Sequence, residues 1–228
     1  MPFRFAATQR DDSLFLKPLK DGPIFRKLSR GGEDGKWKSF HGWLHVLVSK
    51  ICDTAEMDPR YPVGKFTVPE AITSELRAGG CAEIAAFPRN LREAAAALSE
   101  KQLETSYRDG GWTARQVIHH LADGHMNSYV RFRLALTEDV PTIKPYDEAR
   151  WAELCDAKSA PIEASLTMIE SMHDRWSRLL QSMTAADFAR TFRHPELGER
   201  SLDVTVQLYA WHGRHHLAHL AVIAGYLG

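Results

Sequence analysis

The sequence predicts an all-α protein, a four-helix bundle with an N-terminal extension. Three observations predict it. Four long stretches between residues 69 and 226 carry apolar residues at helical spacing. Between them stand turns rich in glycine and proline, and no stretch shows convincing strand alternation. The chain of 228 residues is 44% hydrophobic and 25% charged, the make-up of a folded domain with a real core.

The first helix is expected in PEAITSELRAGGCAEIAAFPRNLREAAAAL, from Pro69, which suits a first helical turn. Gly79, Gly80 and Pro88 are expected to weaken or kink it. Asp109, Gly110 and Gly111 then make a turn. Thr113 fits an N-cap with Gln116 as its capping-box partner, and Trp112 and Val117 occupy the staple positions. This second helix should run to about Thr137. Pro141 and Pro145 mark a long loop that includes Trp151. The third helix, from Pro161 to about Met183, carries Leu166, Ile169, Met172, Trp176, Leu179 and Met183 at helical spacing. A loop holding His194, Pro195 and Gly198 leads to the last helix, from near Ser201 to about Tyr226.

Residues 1–56 read differently. They hold ten Lys/Arg against seven Asp/Glu, a loop around Gly31, Gly32 and Gly35, and one short amphipathic helix over 36–51. Met57 offers a second starting point for the native chain. The division expected is an extension over 1–56 and a bundle over 57–228.

Charge and composition exclude several classes. Lys plus Arg and Asp plus Glu both number 29, split as +3 in the extension and −3 in the rest. No basic excess exists to drive phosphate binding, so a nucleic-acid partner is not expected. No apolar run approaches the roughly 20 residues of a membrane span. Cys52, Cys81 and Cys155 form neither a disulfide framework nor a CxxC zinc pattern. With no secretory signal evident, a reducing cytoplasm is the expected location.

The unusual count is histidine, eleven in all. His119, His120 and His125 lie on the second helix; His212, His215, His216 and His219 lie on the fourth. At about 100° per residue, with His212 at zero, His216 falls at about 40° and His219 at about 340°. Thr205, Leu208, Tyr209, Ile223 and Leu227 share that side, whereas Asp203, Gln207, Arg214 and Ala221 fall opposite. The histidine stripe is therefore the apolar stripe. Buried imidazoles need partners, and His212 and His216 at i, i+4 can aim two nitrogens at one ion. On the second helix, Gln116, His120, Asp123, Gly124, Asn127 and Arg131 form one stripe, and Gly124 leaves room beside His120. Spacing alone does not choose between His119 and His120 as the third ligand.

Other metal signatures fail. WHGRHH lacks the glutamate of HExxH. A di-iron bundle needs two Glu-x-x-His pairs, and the one candidate, Glu170 and His173, reads as a surface pair. CxxCH is absent, and His41 and His45 lack a third ligand nearby.

YRDGGWTARQVIHHLADGHMNSYVRFRLALTE, PYDEARWAEL, HPELG and LYAWHGRHHLAHL together closely resemble the YfiT-type proteins of the DinB-like superfamily. YPVGKF near residue 61 resembles the start of that family's domain, so the resemblance covers about residues 58–228. It implies a four-helix bundle with one divalent metal per chain, most often zinc, with nickel or iron as alternatives. It implies His120, His212 and His216 as the ligands, with His119, His125, His215 and His219 left to orient them or to serve the structure. It also implies a metal-dependent hydrolase, or a thiol S-transferase using bacillithiol or a related thiol. Members resembling this chain are cytoplasmic, often homodimeric, and act on small molecules.

Three histidines leave an open position on zinc, as catalytic sites do. Water or a thiol could be activated there. Asp123, Asn127 and Arg131 are the pocket candidates: Asp123 to orient a ligand histidine, Arg131 to hold an anionic group. Tyr146 and Asp147 form either a rim or an ordinary turn. The rival expectation is a non-catalytic metal-binding bundle for sensing or buffering.

Overall fold

The computed structural model describes residues 58–226. The expectations placed on residues 1–56, including the helix over 36–51 and the His41/His45 pair, lie outside them. A strap over 58–73 leads into α1 (Ser74–Ala96). Short α2 (Glu100–Leu103) precedes α3 (Ala114–Thr137). Two more short helices, α4 (Glu148–Trp151) and α5 (Cys155–Ser159), lead to α6 (Ile162–Ser182). Then come α7 (Ala185–Ala189), β1 (Thr191–His194), β2 (Gly198–Ser201) and α8 (Leu202–Ile223).

The four long helices are α1, α3, α6 and α8. Each of α1 and α3 packs most extensively on both α6 and α8. The order around the bundle is therefore α1–α8–α3–α6, and the helices delivering the two histidine clusters, α3 and α8, are neighbours. Local signals set the ends. Thr113 accepts from the Gln116 amide while the Gln116 side chain accepts from the Thr113 amide, the expected capping box. Thr73, rather than Pro69, opens α1, because its hydroxyl accepts from the Leu76 amide.

Two expectations are corrected, and helix α1 continues past Gly79, Gly80 and Pro88, none of which ends it. A Cβ at Gly80 would lie 2.7 Å from Val206 Cγ1, so the glycine there admits α8 at close range. A β-hairpin exists: β1 and β2 pair antiparallel from Thr191↔Ser201 to His194↔Gly198. Strands of four residues are too short for alternation to show. Finally, α8 has no wet face: Gln207 and Ala221, expected opposite the core, are buried. Gln207 donates to the Leu76 carbonyl at 3.1 Å. Arg77 pairs with Asp203, and Glu83 with Arg214, binding the polar side of α8 to α1.

Candidate metal centre

Helix α3 presents His120, and α8 presents His212 and His216 one turn apart. Their rings converge. Nε2 of His120 lies 3.2 Å from Nε2 of His212. One nitrogen from each of the three rings lies within 4.8 Å of the others. All three side chains are buried. Burial pushes His120 down to about 4, and drives His212 and His216 well below the ordinary histidine value. The rings are therefore neutral, as metal ligands must be. Among the described residues, Nε2 of His216 is buried without a hydrogen-bond partner, which costs about 1–3 kcal/mol where nothing binds it. Three neutral imidazoles with a converging, unpartnered nitrogen fit a divalent cation.

A second group, His215, His216 and His219, also clusters. It is the poorer donor set. His219 uses both ring nitrogens within the protein: Nδ1 is 3.2 Å from Nδ1 of His216, and Nε2 is 3.1 Å from the Pro59 carbonyl. His215 stacks on Trp211, with ring centroids 4.7 Å apart, and its buried Nδ1 has no partner among the described residues, so the commitment of His219 is what makes this set the poorer one.

Aromatic residues surround the donors. The Trp112 ring lies 4.7 Å from that of His120 and stacks near His216. Sequence reasoning gave Trp112 only a place in a helix staple. Its position directly before the α3 cap is the local signal that puts it beside a residue two turns on. A Cβ at Gly124 would meet the Tyr146 hydroxyl at 3.2 Å and His212 Cε1 at 3.4 Å. The missing side chain thus lets Tyr146 and His212 approach the α3 backbone closely. Burial holds the Tyr146 hydroxyl protonated well beyond the usual tyrosine range. Tyr209 donates to the Gly124 carbonyl at 3.0 Å.

The remaining candidates fall in different places. His119 points away from the cluster, with Nδ1 2.7 Å from Ser165 Oγ and Nε2 3.1 Å from the Ala160 carbonyl. Asp123 makes no hydrogen bond to His120 among the described residues; burial, then the charge of Asp156, raises its carboxyl to about 6. Asn127 turns its amide back to the Asp123 carbonyl at 2.9 Å. Arg131 lines a pocket with Phe192, His194, Arg200, Leu208 and Tyr209, and the Tyr209 ring lies 5.5 Å from that of His212. Asp147 caps α4 through the Arg150 amide.

His173 is not at the surface as expected. It is buried, with Nε2 2.8 Å from Nδ1 of His125. Nε2 of His125 lies in turn 3.2 Å from Nδ1 of His212. Glu170 instead pairs with Arg92. The helical spacing of His173 with Ile169 and Trp176, both fully buried, was the signal available.

Comparison with known proteins agrees with this architecture. Residues 83–220 match the family model of the DinB superfamily. A protein of Bacillus cereus strain ATCC 10987, named "Putative metal-dependent hydrolase", is 55% identical over 163 residues, 72% of this chain and 94% of the relative. A Bacillus anthracis protein of the same name is 54% identical over the same share. Among solved structures, YfiT from Bacillus subtilis matches with a TM-score of 0.72 and 42% identity, covering 74% of this chain and 97% of YfiT. YfiT is described as "a probable metal-dependent hydrolase with an unusual four-helix bundle topology". The chain belongs to the DinB superfamily.

Proposed function

We propose that this protein is a zinc-dependent hydrolase of small-molecule substrates, with His120, His212 and His216 holding one divalent ion. The observation that carries the reading is the convergence of three buried imidazole nitrogens within 4.8 Å. A bound divalent ion supplies Lewis acidity, which polarises an electrophile and lowers the proton affinity of water or a thiol.

The chain's own residues supply the rest. Trp112 covers one side of the donor rings and limits water there. Gly124 lets the protonated Tyr146 hydroxyl come close to His212, where it can donate to an oxygen that gains charge. Asp123, with a carboxyl raised to about 6, can exchange a proton near neutral pH. Arg131, with Arg200 on the same pocket wall, holds an anionic part of the substrate. Asn127 supports Asp123 through its main-chain carbonyl.

The same cationic wall supports a second reading, thiol S-transfer with an acidic low-molecular-weight thiol of the bacillithiol type. Turnover separates the readings. Zinc-loaded protein should hydrolyse activated esters or amides without added thiol, and His216→Ala should lower that rate to background. Consumption of electrophiles only when bacillithiol is added selects the transferase. Metal occupancy with no turnover in either assay selects the sensing or buffering role.

A further inference from the structure

The histidines around the candidate donors form two chains, and each ends on a main-chain carbonyl. We infer that these chains fix the tautomers of His212 and His216, so that each ring keeps Nε2 free of a proton and available to a metal. His173 and His125 are positioning residues for His212, and His219 is the positioning residue for His216. The metal-directed part of this inference rests on the proposed centre; the tautomers stand without it.

The longer chain starts inside α1. In an unbroken helix the amide of residue 88 would donate to the Ile84 carbonyl. Residue 88 is proline and has no N–H. Nδ1 of His173 lies 2.8 Å from that carbonyl and takes the vacated place. A carbonyl only accepts, so His173 carries its hydrogen on Nδ1. A neutral imidazole has one N–H, which leaves Nε2 as an acceptor. Nδ1 of His125, 2.8 Å away, must then donate to it. That leaves Nε2 of His125 to accept from Nδ1 of His212 at 3.2 Å. His212 is left with a lone pair on Nε2, the atom that lies 3.2 Å from Nε2 of His120.

The shorter chain repeats the logic with one link fewer. The Pro59 carbonyl, in the strap, accepts from Nε2 of His219 at 3.1 Å. Nδ1 of His219 is then an acceptor and faces Nδ1 of His216 at 3.2 Å. His216 donates there, and its buried Nε2 has no hydrogen-bond partner among the described residues. Both chains deliver the same tautomer from opposite ends of the histidine stripe.

Packing keeps the longer chain aligned. Phe87 stacks on His125, with ring centroids 4.6 Å apart and planes within 21°. Trp176 meets both His125 and His173 edge-on. Gly213 makes this stacking feasible, because a Cβ there would lie 2.8 Å from Phe87 Cδ2. No carboxylate is hydrogen-bonded to any of the three rings among the described residues. Buried and unpaired with an acid, they stay neutral.

The test combines tautomers with metal affinity. In the metal-free full chain labelled with ¹⁵N-histidine, long-range ¹H–¹⁵N spectra should show His212 and His216 protonated on Nδ1. His173→Leu removes the acceptor of His125 and should weaken zinc binding about ten- to a hundred-fold in titration calorimetry. His173→Gln keeps an acceptor at the Nε2 position and should stay within a few-fold of wild type. A purely structural His173 would not move the His212 tautomer. An Nε2–H tautomer in wild-type His212 or His216, or unchanged zinc affinity in His173→Leu, would overturn the inference. If His173→Leu does not fold, the wild-type tautomers decide it. If wild type binds no zinc, the metal reading falls, while the spectra still decide the two chains.

Discussion

The two flanks of the histidine stripe on α8 are built differently. The His212 flank is enclosed by helices. Its chain ends on the Ile84 carbonyl inside α1, and Phe87, Trp176 and Tyr209 surround His125. The His216 flank meets irregular backbone. Its chain ends on Pro59 in the strap, and Tyr107 stacks on His219 at 3.9 Å. Helix interiors open only with the whole fold, whereas irregular segments open locally at lower cost. The first flank should therefore govern stability, and the second should govern how readily the site opens.

Substitutions can break this comparison. The largest effect is expected from Trp176→Ala on the helical flank. The fully buried ring should leave a cavity costing about 3–5 kcal/mol in denaturant unfolding. Gly213→Ala should cost about 1–3 kcal/mol by driving Phe87 off His125. On the other flank, Tyr107→Leu removes the stacking on His219 while keeping apolar bulk. It should lose only about 0.5–1.5 kcal/mol, and should speed zinc release more than Gly213→Ala does in stopped-flow chelation. Equal release rates in the two variants would remove the distinction between the flanks.

Acid titration sharpens it further. Unfolded histidine binds its proton near pH 6.5, whereas burial delays this to about 4 in His120 and His173 and to about 3 in His219. Between those limits the unfolded chain binds more protons, so stability rises with pH. It is complete above about 6.5 and falls as the pH drops, by up to about 1.4 kcal/mol per pH unit for each histidine. Metal-free protein should lose stability steeply from pH 6 to 4, as followed by circular dichroism. His173→Gln should reduce that slope by one histidine's share. Outside both flanks, Thr113→Ala removes the α3 cap and should cost about 1 kcal/mol.

Much of this was legible in the chain. The 3.6-residue spacing and the Thr113/Gln116 box placed α3 and α8, and the angles of His212 and His216 placed their rings toward the core. Other features were hidden for physical reasons. Spacing could not choose His120 over His119, because both lie on buried faces of α3 and only the neighbouring helix decides which ring meets which partner. Pro88 reads as a helix breaker from local rules; its use needs His173, distant in sequence, to reach the carbonyl it vacates. Gly80 reads as a weak point, but it is a contact point for α8, as Gly213 is for Phe87. The polar residues of α8 suggested a solvent face, and only the ion pairs to α1 show why they are covered.

The central claim is that His120, His212 and His216 together hold one divalent ion. Metal analysis of the purified full chain after zinc loading and desalting tests it most directly. One zinc per chain is expected in wild type, with loss of stoichiometric zinc in His120→Ala, His212→Ala and His216→Ala, each confirmed as folded. Full retention of zinc in the folded variants, or none in wild type, would contradict it.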